Sequence, residues 1–183
     1  MMKKFEEKTI HSEPIFKGKV ISLKVDDVIL PNGNESKREI VNHPGAVAII
    51  PITSDGKMIL VEQYRKALER SIIEIPAGKL EKGEGPEHTA RRELEEETGL
   101  GCNELIYLQS FATSPGFADE IIHVYVAKDL YKIEHKAELD EDEFVSLMEV
   151  TLEEAEQMVK EQKIYDVKTA FAVLWLKLQQ NQI

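Results

Sequence analysis

Residues 78–100 read GKLEKGEGPEHTARRELEEETGL, and the second half of this stretch has the local signs of a helix. Pro86 suits the first helical position, where its missing N–H costs nothing, and Glu87 places an acid in the first turn, where the helix dipole favours it. Gly99 is a C-terminal stop. A helix over 86–98 turns Ala90 and Leu94 inward at i, i+4. On the same helix Glu93, Glu96 and Glu97 stand at i, i+3 and i+4, so all three carboxylates project from one face with Cβ atoms about 5–6 Å apart. Like charges at that spacing destabilise an isolated helix by a few tenths of a kcal/mol per pair, and a cation among them reverses the sign. Oxygen-only ligands suit Mg²⁺ or Mn²⁺. An acidic helix face taken alone is more often simply solvated, so the flanking residues have to decide.

Outward from the helix, strands dominate. Upstream, Ala46–Ile52 (AVAIIPI) is a continuous apolar run typical of a strand buried on both faces. Asp55-Gly56 signals a hairpin to Met58–Tyr64, and Ser71–Pro76 is a further short strand. Gly78–Gly85 reads as a charged, glycine-rich loop. Before Pro44-Gly45, residues 19–30 and 37–42 read as strands joined at Pro31-Asn32-Gly33-Asn34, with a bulge or bend expected at Asp26-Asp27. Downstream, strands are expected at Leu105–Phe111, Ile121–Ala127 and Phe144–Val150. Thr151 with Glu154 forms a capping box for a helix to about Gln162, and Asp166 opens a last helix. This pattern predicts an α+β fold: a small antiparallel β domain over 1–43 and a mixed sheet between helices over 44–183.

Composition excludes several classes. The chain has 183 residues, with 23 Lys plus Arg against 34 Asp plus Glu, a formal net charge of −11. Such a balance argues against binding nucleic acid or an anionic membrane by bulk charge. The excess is confined to residues 74–104 and 134–161. Cys102 is the single cysteine, so neither an internal disulfide framework nor a cysteine-based zinc site is expected, and a reducing cytoplasm is the default compartment. No apolar run approaches the roughly 20 residues of a membrane span, and the N-terminus lacks the apolar core of a signal peptide. Neither a P-loop nor a Gly-x-Ser-x-Gly elbow occurs.

The order Gly78, five residues, Glu84, seven residues, Arg92-Glu93-Leu94, one residue, Glu96-Glu97, one residue, Gly99-Leu100 resembles the signature box of the Nudix hydrolase family with no departure. A chance match to its fixed positions is about one in 10⁸ per starting site at average composition. The resemblance implies an α/β/α sandwich around a mixed sheet and hydrolysis of a nucleoside diphosphate linked to another group. It implies Glu93, Glu96 and Glu97 as metal ligands, with Glu93 and Glu97 central to catalysis and the carbonyl of Ala77 as a further ligand. Gly78 lets the backbone approach the metal. Glu84 and Arg92 are implied to orient the loop and the carboxylates. The expected cofactor is Mg²⁺, with Mn²⁺ as a substitute.

The box leaves the substrate open. Thr113-Ser114-Pro115-Gly116, with Pro115 fifteen residues after Leu100, resembles the ADP-ribose pyrophosphatase subfamily, as does Glu62-Gln63-Tyr64-Arg65. The resemblance implies substrate contacts at Arg65, Ser114 and Gly116, with Arg38 and Glu39 of the N-terminal strands as weaker candidates. It also implies that the small domain exchanges across a homodimer and helps to hold adenine. The acidic run 138–143 resembles a loop that brings a general base over the metals, with Glu141 as that base and Glu143 as a further ligand. The expected reaction is hydrolysis of ADP-ribose to AMP and ribose 5-phosphate. Other nucleoside diphosphate sugars, such as GDP-mannose or ADP-glucose, compete as substrates. A non-catalytic ADP-ribose sensor is the alternative of a different class, and the intact set of carboxylates disfavours it.

Overall fold

A computed structural model describes residues 4–134 and 144–180. The chain divides into two compact units. One runs to Gly45 and takes in Phe111–Ile122, and the other comprises Ala46–Ser110 and the chain from His123 onward.

The first unit is built on an antiparallel sheet of β1 (Lys8–Lys17), β2 (Ser22–Ile29) and β3 (Glu35–Asn42), in the order β1-β2-β3. The β2–β3 turn forms where Pro31-Asn32-Gly33-Asn34 predicts it. Gly33 takes φ +87° and its N–H donates to Leu30 O at 2.9 Å, while Asn34 N–H donates to the Asn32 side chain at 3.0 Å. The expected bend at Asp26-Asp27 is absent: β2 pairs in step with β3 from Ser22 to Ile29. The irregularities lie instead on β1, between Thr9 and His11 and between Pro14 and Phe16. Asp26 can stay inside the sheet because Ser12 Oγ donates to it at 2.6 Å and Lys24 Nζ at 2.8 Å. The Lys24 and Ser12 bonds hold its carboxyl below the ordinary aspartate value. Phe111–Ile122 joins this unit through the end of β3. Val41 N–H donates to Phe117 O at 2.8 Å, and Asp119 accepts from the Asn42 side chain at 2.7 Å and from His43 N–H at 2.8 Å.

The second unit has two sheets and three helices. β4 (Ala46–Pro51), β7 (Ala77–Lys79), β8 (Leu100–Ala112) and β9 (Ile121–Lys132) form a sheet in the order β7-β4-β9-β8, with β8 and β9 running on past the unit's limits. β5 (Met58–Arg65), β6 (Arg70–Glu74) and β10 (Val145–Val150) form the other, in the order β10-β5-β6. The helices are α1 (Pro86–Thr98), α2 (Leu152–Lys160) and α3 (Val167–Gln180). All six residues of β4 are buried, as the apolar run predicts. α1 packs on β4 and β7, and Ala90 and Leu94 meet Val47, Ile49, Tyr125 and Ala127. Gly99 ends α1 at φ +70° with its N–H on Glu95 O at 2.7 Å. The Thr151–Glu154 capping box is formed in both directions. Two boundaries move. Gly78 belongs to the short strand β7, paired with Val47, not to a loop. β8 begins at Leu100, five residues before the expected Leu105, because the chain extends at once after Gly99.

Candidate active site

α1 delivers the box carboxylates as the helical period requires. Glu93 and Glu97 are buried, at 6% and 2% exposure, and Glu96 is half-buried. Glu97 Oε2 accepts the Ala77 N–H at 3.0 Å, which ties the helix to the backbone just before Gly78. Gly78 itself lies against Glu93. A Cβ built on Gly78 falls 1.9 Å from both Cδ and Oε1 of Glu93, far inside any real contact. A glycine is required here by space, since the Glu93 carboxylate fills the volume a side chain needs.

Arg92 organises the same face. Its Nη1 contacts Glu93 Oε1 at 2.9 Å and Glu96 Oε2 at 2.7 Å, and its Nη2 contacts Glu84 Oε2 at 3.2 Å. Nη2 also donates to Lys79 O at 3.4 Å. Burial acts to lower the guanidinium pKa, but the charge of Glu93 and the bonds to Glu84 and Glu96 outweigh it and raise it above the ordinary value. Thr89 Oγ1 donates to the same Glu84 oxygen at 3.0 Å, so Glu84 closes the loop back onto the helix. One guanidinium thus stands among the carboxylates of Glu84, Glu93 and Glu96, with Glu97 one turn away.

Among the described residues, no three His, Cys, Asp or Glu side chains are grouped as a ready metal-ligand set. Arg92 stands between Glu93 and Glu96 and is in contact with both. The donor chemistry nevertheless fits a hard divalent cation: the carboxylates on this face are oxygen donors, they outnumber the positive charge beside them, and Gly78 leaves the backbone open next to Glu93.

The other candidates lie elsewhere. Arg65, at the end of β5, donates through Nε to Glu74 Oε2 at 2.6 Å. In the first unit, Arg38 grips Glu7 with Nε at 2.8 Å and Nη2 at 2.6 Å, and Nη1 donates to Ser36 and to Lys37 O, both at 2.9 Å. Glu39 is exposed on β3 opposite Val25. Ser114 O accepts from Phe117 N–H at 3.1 Å and Ala118 N–H at 2.9 Å, forming the turn its Ser-Pro-Gly sequence predicts. Gly116 is exposed, and a Cβ there meets nothing within 4 Å. Glu141 and Glu143 lie outside the described residues. The sequence reading missed Glu74, an acid 2% exposed on β6. Its signal was a charge inside the otherwise apolar SIIEIP.

The model of the NUDIX domain matches residues 42–169, and that of the nucleoside diphosphate sugar hydrolase N-terminal domain matches residues 7–41. The chain belongs to the Nudix hydrolase family. It is 67% identical over 180 residues to a methanol dehydrogenase activator of Bacillus methanolicus, covering 98% of this chain and 97% of the relative. It is 62% identical over 179 residues to an ADP-ribose pyrophosphatase of Bacillus subtilis (strain 168), again covering 98% and 97%. An ADP-ribose pyrophosphatase of Mycobacterium tuberculosis is 41% identical over 133 residues, 72% of this chain and 64% of the relative. The crystal structure of an ADP compounds hydrolase superimposes with a TM-score of 0.84 at 24% identity over 98% of both chains, a likeness of fold.

Proposed function

We propose that the protein hydrolyses the diphosphate linkage of ADP-ribose to AMP and ribose 5-phosphate. The observation that carries this reading is the near full-length likeness to the Bacillus subtilis ADP-ribose pyrophosphatase, with the box intact on α1.

In this reading Glu93, Glu96 and Glu97, with the carbonyl of Ala77, hold Mg²⁺, or Mn²⁺ in its place. The bound ion offsets the charge of the diphosphate, polarises its phosphoryl oxygens and lowers the pKa of coordinated water. The chain's own groups do the rest. Gly78 keeps space for Glu93, and Glu97 stays fixed through Ala77 N–H. Arg92 and Glu84 hold the carboxylates in register, and a cation on this face competes with Arg92 for Glu93 and Glu96. Glu141 takes the proton of the attacking water, and Glu143 is a further ligand. Arg65 meets a phosphate or ribose of the substrate through charge-assisted bonds. Ser114, Gly116, Arg38 and Glu39 are contact candidates, and Arg38 reaches a substrate only by leaving Glu7.

The small β domain mediates a homodimer by exchange of its sheet and contributes to adenine binding. The support is β1, exposed along all ten residues, with Ile10, Ile15 and Phe16 each at least half exposed. No helix among the described residues is long and apolar enough to cross a membrane, and the one free cysteine is consistent with a cytoplasmic protein.

Incubation of the purified chain with Mg²⁺ and ADP-ribose tests the reading, and AMP is the expected product. No AMP after long incubation overturns it and favours a sensor. A panel with GDP-mannose, ADP-glucose and NADH ranks substrates by kcat/KM. A second reading has its own observation, the likeness to a methanol dehydrogenase activator. It predicts that adding the chain with Mg²⁺ raises the rate of a methanol dehydrogenase, and an unchanged rate removes it.

A further inference from the structure

Glu74 is buried between two cations. Its Oε2 accepts from Arg65 Nε at 2.6 Å, and its Oε1 accepts from Lys168 Nζ. Lys168 is itself only 7% exposed, and its ammonium also donates to Asp166 Oδ1 at 2.9 Å. The same Asp166 oxygen caps α3 by accepting Thr169 N–H at 3.1 Å. Thr169, fully buried, accepts the Ile75 N–H at 3.0 Å, and Lys163 O accepts the Ile73 N–H at 2.9 Å. The stretch from Lys163 to Thr169, leading into α3, therefore fastens β6 and the residue after it.

The division of the Glu74 oxygens has a consequence for Arg65. Arginine and carboxylate pair most strongly through two parallel bonds, which need both oxygens. Lys168 holds Oε1, so Arg65 keeps one bond, through Nε. The Arg65 side chain is 40% exposed, and its Nη1 and Nη2 make no hydrogen bond or ion pair to any described residue. The guanidinium is anchored at its base, with its two outer nitrogens left over.

We infer that Lys168 is a positioning residue: by occupying Glu74 Oε1 it prevents Arg65 from folding onto Glu74 and holds its outer nitrogens ready for an anionic group of the substrate. The inference rests on the reading above, in which Arg65 meets the nucleoside diphosphate sugar. Without the ammonium, Arg65 closes a two-point pair with Glu74 and the substrate has to break it.

Steady-state kinetics with ADP-ribose and Mg²⁺ test this. Lys168→Met raises KM about tenfold and leaves kcat within about threefold, the pattern of a lost ground-state contact to a charged group. Lys168→Arg restores KM to within about threefold of wild type, because a cation again occupies Oε1. In an Arg65→Ala background, Lys168→Met adds no further rise in KM, since the two act through one guanidinium. Should Lys168→Met fail to fold, Lys168→Gln carries the test, because its shorter neutral amide keeps a polar group in place but supplies no ammonium to Glu74 Oε1, and KM again rises about tenfold. A purely structural role lowers the active fraction, and hence kcat, with KM unchanged. That outcome, or independent multiplication of the Arg65 and Lys168 effects, overturns the inference. Wild-type protein that does not turn over ADP-ribose overturns the reading beneath it, a failure recognisable before any variant is made.

Discussion

Two charge clusters flank the same short segment of chain, and they are built in opposite senses. Around Arg92 one cation stands among acids, with Glu84, Glu93 and Glu96 in contact and Glu97 bonded to Ala77 N–H. Around Glu74 one acid stands between cations, with Arg65 and Lys168 on separate oxygens and Asp166 balancing Lys168. The second cluster is formally neutral, so its burial is offset internally, as a buried network requires. The first keeps an excess of carboxylates on a helix that holds them rigidly together, and helix physics alone disfavours that spacing. The difference separates a cluster balanced by its own side chains from one whose excess of acid suits the cation proposed above.

The comparison breaks first at Glu97. Glu97→Gln keeps an acceptor for Ala77 N–H but removes a charge, so turnover of ADP-ribose falls by about 10²-fold or more. The melting temperature holds or rises, because repulsion on the helix is relieved. Unchanged kcat would sink the ligand assignment. Glu74→Gln has the opposite signature. It leaves the Lys168 ammonium with Asp166 as its one acid, and stability drops by about 2–3 kcal/mol in a denaturant titration. That is less than the full cost of breaking a buried pair because the Arg65 side chain is 40% exposed. A loss below about 0.5 kcal/mol, the size of an ordinary surface substitution, makes that network incidental. Gly78→Ala comes third. The new Cβ collides with Glu93, which has to move, at about 1–2 kcal/mol of overpacking. The expected readout is a turnover loss larger than the loss of stability. A variant with wild-type kcat shows that Glu93 does not need its present position.

The first cluster was legible in the sequence and the second was not, for a physical reason. Glu84, Arg92, Glu93, Glu96 and Glu97 lie within one loop and one helix, where the helical period fixes which side chains meet. Glu74 and Lys168 are 94 residues apart, and nothing local to either announces the other. The same limit governed the fold. α1, the Thr151 cap and the Gly33 turn depend on neighbouring residues and form as their sequences predict. The joining of Phe111–Ile122 to the N-terminal sheet depends on Asp119 reaching Asn42, 77 residues away. Asp26, expected at a bulge or bend, instead stays in register with β3 and accepts from Ser12 of the other neighbouring strand, a partner its local sequence does not announce.

The gentlest probe is acid, acting on Glu84. Burial pushes this carboxyl upward, but the hydrogen bonds from Thr89 and Arg92 and the Arg92 charge prevail, so it ionises below its ordinary value of 4.5. A carboxylate whose pKa is lowered by folding stabilises the fold fully above its unfolded value, and that contribution fades as the pH falls through the native one. The stability difference between wild type and Glu84→Gln is therefore flat from neutral pH down to about pH 5.5 and shrinks below pH 4.5. Glu84 links Thr89 and Arg92, so the shrinking difference marks the release of Arg92 from one of its acids, leaving it to Glu93 and Glu96. Thermal denaturation of both proteins across this range is the measurement. A difference that grows toward acid means that Glu84 is favoured in its protonated form, and then Arg92 is not what holds it.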